Sequence, residues 1–463
     1  MFKKEVYTER RNNLKAKMSG GIAFFPGHSE SPMNAPANTF HFRQNSSFLY
    51  YFGLDFPDIA GVVDLDSGES IVFGDDVTMD DIIWMGPQPS MKERCAEVGV
   101  TDSRTYSELF NYMKKAVDAG RKIHFLPQYR ADNQILMEVL TGIRAAEINR
   151  YQSVELIKAV VAQRSIKDEF EIEELKKAAA TGYNMHVTAM KMAMPGVWEQ
   201  KIAGTIEGIA VAGGGMLSFP VILSQNGQTL HNHDHSQTLK EGRLMLTDAG
   251  AETGMHYASD FTRTVPVGGK FSDRQRDIYN IVLAANNKAT SMAKPGIPYF
   301  DVHVEAAKVL ASGLKDLGIM KGNPEEAART GAYALFQPHG LGHMMGLDVH
   351  DMEDIGENYV GYDEEIKRSE IFGLAGLRLG RKLQPGFVLT NEPGCYFIPE
   401  LIDKWESEKK FADFINYDKV REYIDFGGIR LEDDLLITDN GAELIGDRIP
   451  ISVEDVEKTM NES

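Results

Sequence analysis

The sequence predicts an α+β catalytic region preceded by a smaller α/β domain. Three observations carry this. The length of 463 residues exceeds one ordinary domain of roughly 100–200 residues. Short β-rich runs alternate with turn and helix signals over about the first 150 residues. Beyond them, paired helices precede strand-rich stretches twice over, the pattern of helices packed on a largely antiparallel sheet.

The elements follow in order. GIAFF (21–25) precedes Pro26-Gly27 and reads as a strand. SFLYYFG (47–53) reads as a further β-rich run stopped by a glycine. GVVDLDSGESIVF (61–73) reads as a hairpin, because two β-branched runs flank Asp66-Ser67-Gly68. Residues 1–160 are the N-terminal domain, either a structural or oligomerisation unit or one that shares in covering an active site. A helix and a connection fill 151–165, and the boundary falls near 160. Residues 161–463 are the catalytic domain.

There Ser165 and Asp168 resemble a capping signal, and Phe170, Leu175, Ala178 and Ala179 supply apolar positions at helical spacing. Pro195-Gly196 stops that helix. Ser272 and Gln275 fit an S-x-x-Q capping box, Ile278, Ile281, Val282 and Ala285 form a stripe, and Pro295-Gly296 stops the second helix. After each Pro-Gly a new helix starts with matched apolar positions: Ile202, Ile206 and Ile209 against Val302, Ala306 and Val309. This parallelism predicts an internal duplication. The stretches 243–250, 255–269, 387–397 and 427–438 are rich in β formers. Residues 351–376 read as an acidic loop and 452–463 as a polar tail.

Composition narrows the function. Hydrophobic residues at 43% and charged residues at 25% describe a globular chain and argue against disorder. The formal net charge of −19 repels phosphate backbones and anionic lipid, so neither nucleic acid nor a membrane surface is an expected partner. Two cysteines, Cys95 and Cys395, build neither a disulfide scaffold nor a thiolate zinc site. The start MFKKEVYTERR is charged and lacks a secretory apolar stretch, and no apolar run reaches the roughly 20 residues of a membrane span. The expectation is a cytoplasmic enzyme.

Five candidate metal ligands sit on or beside the predicted strands. They are Asp248 after LMLT, Asp260 in ASDFTRT, His343 in PHGLGHMMGLDVHD, Glu392 in LTNEPG and Glu432 in GIRLEDD. A carboxylate in an apolar strand is costly to bury unless paired, hydrogen-bonded or metal-bound. One alone reads as an edge residue or a salt bridge; four with a histidine-rich loop point to metal. Four carboxylates and one imidazole suit two divalent ions, and oxygen-rich ligation favours Mn²⁺, Mg²⁺ or Co²⁺. Two such ions can activate a shared water and polarise a carbonyl, which is machinery for amide hydrolysis.

The ordered motifs DAG…ASDFTRT, HGLGH, EPG and GIRLEDD resemble the pita-bread metallopeptidases (family M24): methionine aminopeptidase, aminopeptidase P and prolidase. HFRQNSSFLYYFG (41–53) resembles the N-terminal domain of aminopeptidase P and prolidase. The resemblance implies a pita-bread (creatinase/aminopeptidase) catalytic domain. It also implies two divalent ions, Mn²⁺ first with Co²⁺ or Zn²⁺ tolerated, held by Asp248, Asp260, His343, Glu392 and Glu432. Asp260 and Glu432 would bridge the ions, and Glu392 would be the general base. The two aspartates are 12 apart, one more than is usual in the family, so a bulge or longer turn is expected between them. His231 would contact substrate. His339 and His350, flanking His343, would bind substrate or move protons, and Arg430 would hold the carboxylate network. His233 and His235 read as exposed loop histidines. A homodimer is also implied.

Xaa-Pro bonds suit such a site, because the tertiary amide offers no N–H to grip. A dipeptidase must also bind the carboxylate after proline, a task suited to arginine's bidentate fork. The stretch 376–405 resembles prolidase, and Arg378 there matches the arginine that binds the dipeptide's carboxylate. RQNSSF is closer to aminopeptidase P. The reading is therefore a hydrolase of the Xaa-Pro bond at the N-terminus of short peptides, an Xaa-Pro dipeptidase, with an Xaa-Pro aminopeptidase acting on longer peptides as the alternative. Some pita-bread proteins are binding modules without the ligands, and creatinase uses the fold without metal; all five ligand positions are filled here.

Overall fold

The structure is a computed structural model in which residues 1–462 are described. The chain divides into two compact units, Met1–Arg164 with Glu353–Tyr359, and Ser165–Met352 with the chain from Val360 onward.

The first unit is built on a five-stranded mixed sheet. Strand Ile22–Pro26 pairs antiparallel with Ala60–Asp64 and parallel with Ile123–His124. Ala60–Asp64 pairs with Ser70–Phe73, which makes the hairpin expected at 61–73. Phe24, Val62, Ile71 and Phe73 line a core shared with Leu109, Met113 and Met137. SFLYYFG is a helix, Ser46–Phe52, and not a strand. The Asn45 side chain accepts the Phe48 N–H, Gly53 closes the helix in the left-handed region at φ 63°, and every residue of the helix is buried. Capping and burial on all sides override the β propensity of its aromatic residues. Asn45→Ala is expected to cost about 1 kcal/mol, read as a lower midpoint in urea unfolding.

The second unit shows the duplication. Helices Glu169–Met192 and Glu199–Ala212 are followed by strands Leu244–Ala249 and Phe261–Pro266; helices Asp273–Met292 and Tyr299–Asp316 are followed by Val388–Asn391 and Asp433–Thr438. The two helix stops match in detail. Gly196 and Gly296 have φ of 85° and 82°, and their N–H groups donate to Leu239 O and Leu383 O. Trp198 and Pro298 bridge Thr238 and Lys382. Ile202, Ile206, Val302 and Ala306 are buried, while Ile209 and Val309 are half-buried. Each half contributes a three-stranded antiparallel sheet.

Two expectations at element ends change. The first helix is capped by Asp168 with Glu171, not by Ser165 with Asp168, and Phe170 is exposed. Asp168 wins because its carboxylate accepts both the Phe170 and Glu171 N–H groups. Residues 453–461 form a helix where a polar tail was expected: Ser452 caps it, and Val453, Val456 and Met460 are buried on one face. The acidic 351–376 stretch contains short helical turns at 353–355, 357–360 and 374–376.

Candidate metal centre

A hairpin register brings the two aspartates together. Asp248 is opposite Thr262, and Ala249 opposite Phe261. Asp260 lies just before this strand, two residues from Thr262, so it shares a face with Thr262 and therefore with Asp248. The ladder resumes in the same register at Glu252 and Ala258. The extra residue between the aspartates is thus absorbed in a longer turn, where His256 takes φ 65°, and not in a bulge. Gly250 lets the strands close: a Cβ there would meet Ser259 O at 1.8 Å.

Thr262 also recruits the distant C-terminal strands. It bridges Glu432, whose N–H donates to Thr262 O at 3.0 Å. The Thr262 hydroxyl donates to Glu432 Oε2 at 2.7 Å and accepts from Arg430 Nε at 3.0 Å. Arg430 continues to Asp248 Oδ2 at 2.5 Å and to the Tyr396 hydroxyl at 2.9 Å. Below this, buried Arg263 donates to Glu432 O at 2.7 Å and to Asp433 Oδ1 at 2.6 Å, while Asp434 accepts the Asp260 N–H.

Two further candidate ligands come from a second antiparallel contact. Met344 bridges Leu389, Thr390 N–H donates to His343 O, and Glu392 N–H to Leu341 O. This alternation sets His343 beside Glu392, with His343 Nε2 at 4.0 Å from Glu392 Oε1 and 3.4 Å from Asp260 Oδ2. Gly342 permits the approach, since a Cβ would lie 2.0 Å from Thr390 O. His343 Nδ1 lies 3.0 Å from Met344 O, so that carbonyl accepts from a protonated Nδ1 and leaves Nε2 as the free ligand atom. His339 lies 3.6 Å from Glu392 Oε2 and 2.9 Å from the Tyr396 hydroxyl. The His350 ring lies with its centroid 4.0 Å from that of His343, tilted by 51°.

The tightest group is Asp260, His343 and Glu432, which offer ligand atoms within 4.8 Å of one another, all buried. Asp248, salt-bridged to Arg430, and Glu392 border it. Only Asp248 lies inside a strand; Asp260, Glu392 and Glu432 stand just beyond strand ends. Burial, then the neighbouring Glu432 and Asp248 charges, holds Asp260 well above the carboxylate range. Burial and Glu392 do the same to Glu432. Burial pushes Glu392 up to about 7 and His339 down to about 3, and it lowers His343, helped by His350. Asp248 Oδ1 and Asp260 Oδ1 are buried with no hydrogen-bond partner. Hard oxygen donors packed together without enough protein cations fit divalent metal.

The remaining candidates lie around this group. His231 is exposed; partial desolvation, then Arg430, lowers it, and the Asp248 and Arg378 charges also reach it. Half-buried Arg378 also acts on His343 and Glu392. His233 and His235 sit 3.2 and 2.9 Å from the Val221 and Leu223 carbonyls, as loop supports. Sequence reading missed Thr262 and Tyr396, although both lie inside motifs it had singled out.

Residues 173–439 match the model of metallopeptidase family M24, more than half of the chain, and residues 7–124 match the aminopeptidase P N-terminal domain. The chain belongs to family M24. This M24 metallopeptidase is 31% identical to the human Xaa-Pro dipeptidase over 98% of its own length and 91% of that protein. It is 33% identical to a probable Xaa-Pro aminopeptidase of Fusarium vanettenii over 87% of its length and 84% of that protein. Its fold superposes on an Escherichia coli aminopeptidase P variant in complex with substrate, with a TM-score of 0.82 at 27% identity, covering 99% and 98% of the two chains. Among the described residues no helix is long and apolar enough to cross a membrane.

Proposed function

We propose that this M24 metallopeptidase is an Xaa-Pro dipeptidase of the prolidase kind. The observation that carries the choice is Arg378, a guanidinium whose charge reaches His231, His343 and Glu392. A second reading, Xaa-Pro aminopeptidase, draws on the likeness to aminopeptidase P structures.

In this reading Asp248, Asp260, His343, Glu392 and Glu432 hold two divalent ions, Mn²⁺ by preference. When bound, the ions polarise the scissile carbonyl and acidify water, without needing an N–H on the substrate. Glu392 takes the proton of the attacking water, and a proton is returned to the leaving proline nitrogen. His339, held by Tyr396 beside Glu392, and His350, against His343, position substrate and carry protons. His231 contacts the substrate, Arg378 pairs with the carboxylate of the dipeptide, and Arg430 keeps Asp248 aimed inward. Residues 1–160 are the N-terminal domain and 161–463 the catalytic domain of a cytoplasmic homodimer, and analytical ultracentrifugation checks the dimer.

The test compares Ala-Pro with Ala-Pro-Ala. Turnover of the dipeptide is expected to dominate. Arg378→Ala is expected to raise KM for Ala-Pro by about tenfold or more, the loss of one charge-assisted bidentate pair, with a much smaller change for the tripeptide. Robust cleavage of the tripeptide with none of the dipeptide would establish the aminopeptidase reading instead.

A further inference from the structure

We propose that the buried ion pair Lys167–Asp351 is the clamp of the 343–351 loop, which makes both residues positioning residues for His343 and His350. The proposal rests on the metal reading above. Lys167 Nζ lies 2.7 Å from Asp351 Oδ2, and both side chains are 1% exposed. Residues 184 apart in sequence are thereby joined.

Energy alone does not account for such a pair. Desolvating two charges offsets most of their attraction, and a well-packed apolar pair serves stability as well. Its geometry offers more. The Asp351 N–H donates to Met344 O at 2.9 Å, closing the loop on itself. Its other carboxylate oxygen accepts the Asp348 N–H at 3.3 Å. His343 and His350, in ring contact, are the first residue of this closed loop and the last before Asp351.

The frame continues on both sides. Lys167 N–H donates to Gly386 O, just before the strand that aligns His343 with Glu392. Ala258 N–H donates to Gly346 O, just before Asp260. Gly346 rests on the pair itself: a Cβ there would lie 2.7 Å from Asp351 Oδ2 and 2.9 Å from Lys167 Cε. The pair therefore ties His343 and its ring neighbour His350 to the segments that carry Asp260 and Glu392.

The test uses the full chain, stripped of metal and titrated calorimetrically with Mn²⁺, alongside melting temperature, kcat and KM. Lys167→Met/Asp351→Asn removes both charges of the pair together. It is expected to bind Mn²⁺ about ten- to a hundredfold more weakly, the range for outer supports of metal ligands. kcat at saturating metal should fall more than KM rises. Val456→Ala, in the C-terminal helix, serves as a control for lost stability and should keep wild-type Mn²⁺ affinity. If the double variant does not fold, Gly346→Ala carries the test, with the same expected loss of Mn²⁺ affinity. Wild-type Mn²⁺ affinity and kcat in either clamp variant would overturn the proposal, as would an equal loss in Val456→Ala. A wild-type chain that takes up no Mn²⁺ would instead remove the metal reading, and the clamp with it; the wild-type titration alone tells the two failures apart.

Discussion

Asp260→Asn is expected to abolish peptidase activity and, in the presence of chelator, to raise the melting temperature of the same protein. The two effects share one cause. Asp260 lies buried beside Glu432, Asp248 and Glu392, an arrangement favourable only with cations between the carboxylates. Loss of a ligand should lower kcat/KM by more than the roughly 100-fold typical of outer-shell changes. Without metal the same substitution relieves repulsion. The sign follows from proton binding. Asp260, Glu392 and Glu432 hold protons more tightly when folded than when unfolded. Stability is therefore full below the ordinary carboxylate range. It is lost as pH rises toward about 7, where folded Glu392 gives up its proton. Metal-free wild type should melt lower at pH 8 than at pH 5, and the variant should show less of this slope. Excess Mn²⁺ should restore wild type at pH 8 by mass action. Melting curves at the two pH values, with and without chelator, check all of this.

Arg263→Met should destabilise the protein by about 3–5 kcal/mol, because it leaves a charge buried without its main partner. Arg263 is buried and donates to Asp433, Glu432 O, Ile449 O and Thr262 O. Among the described residues, Arg448 alone would remain as an ionic partner of Asp433. Removing the acid as well, in Arg263→Met/Asp433→Leu, should recover part of the loss, while the carbonyls stay without their donor. Urea unfolding of the single and double variants measures both. Since Arg263 also holds the Glu432 backbone, activity should fall in each variant even where the fold survives.

Local signals were legible where the partners are close in sequence. The hairpin at 61–73, the Ser272–Gln275 cap and the Pro-Gly repeat each rest on a few neighbouring residues, and the structure has them. The M24 fold was legible through ordered motifs. Misreadings came where context outweighed propensity: the buried aromatic helix at 46–52, and the helix at 453–461 whose charged face hides a narrow apolar stripe. Connections between distant residues could not be read at all. Thr262 joins Glu432 across 170 positions, and nothing in a threonine's neighbours in sequence announces that. The same holds for Lys167 and Asp351.

In the proposed enzyme five side chains, drawn from both halves of a duplicated fold, hold two ions. Anomalous diffraction from crystals of active enzyme grown with Mn²⁺ tests it most directly. The expected map has two peaks among Asp248, Asp260, His343, Glu392 and Glu432. A single peak there, or metal bound only elsewhere while the crystals still turn over substrate, would contradict it.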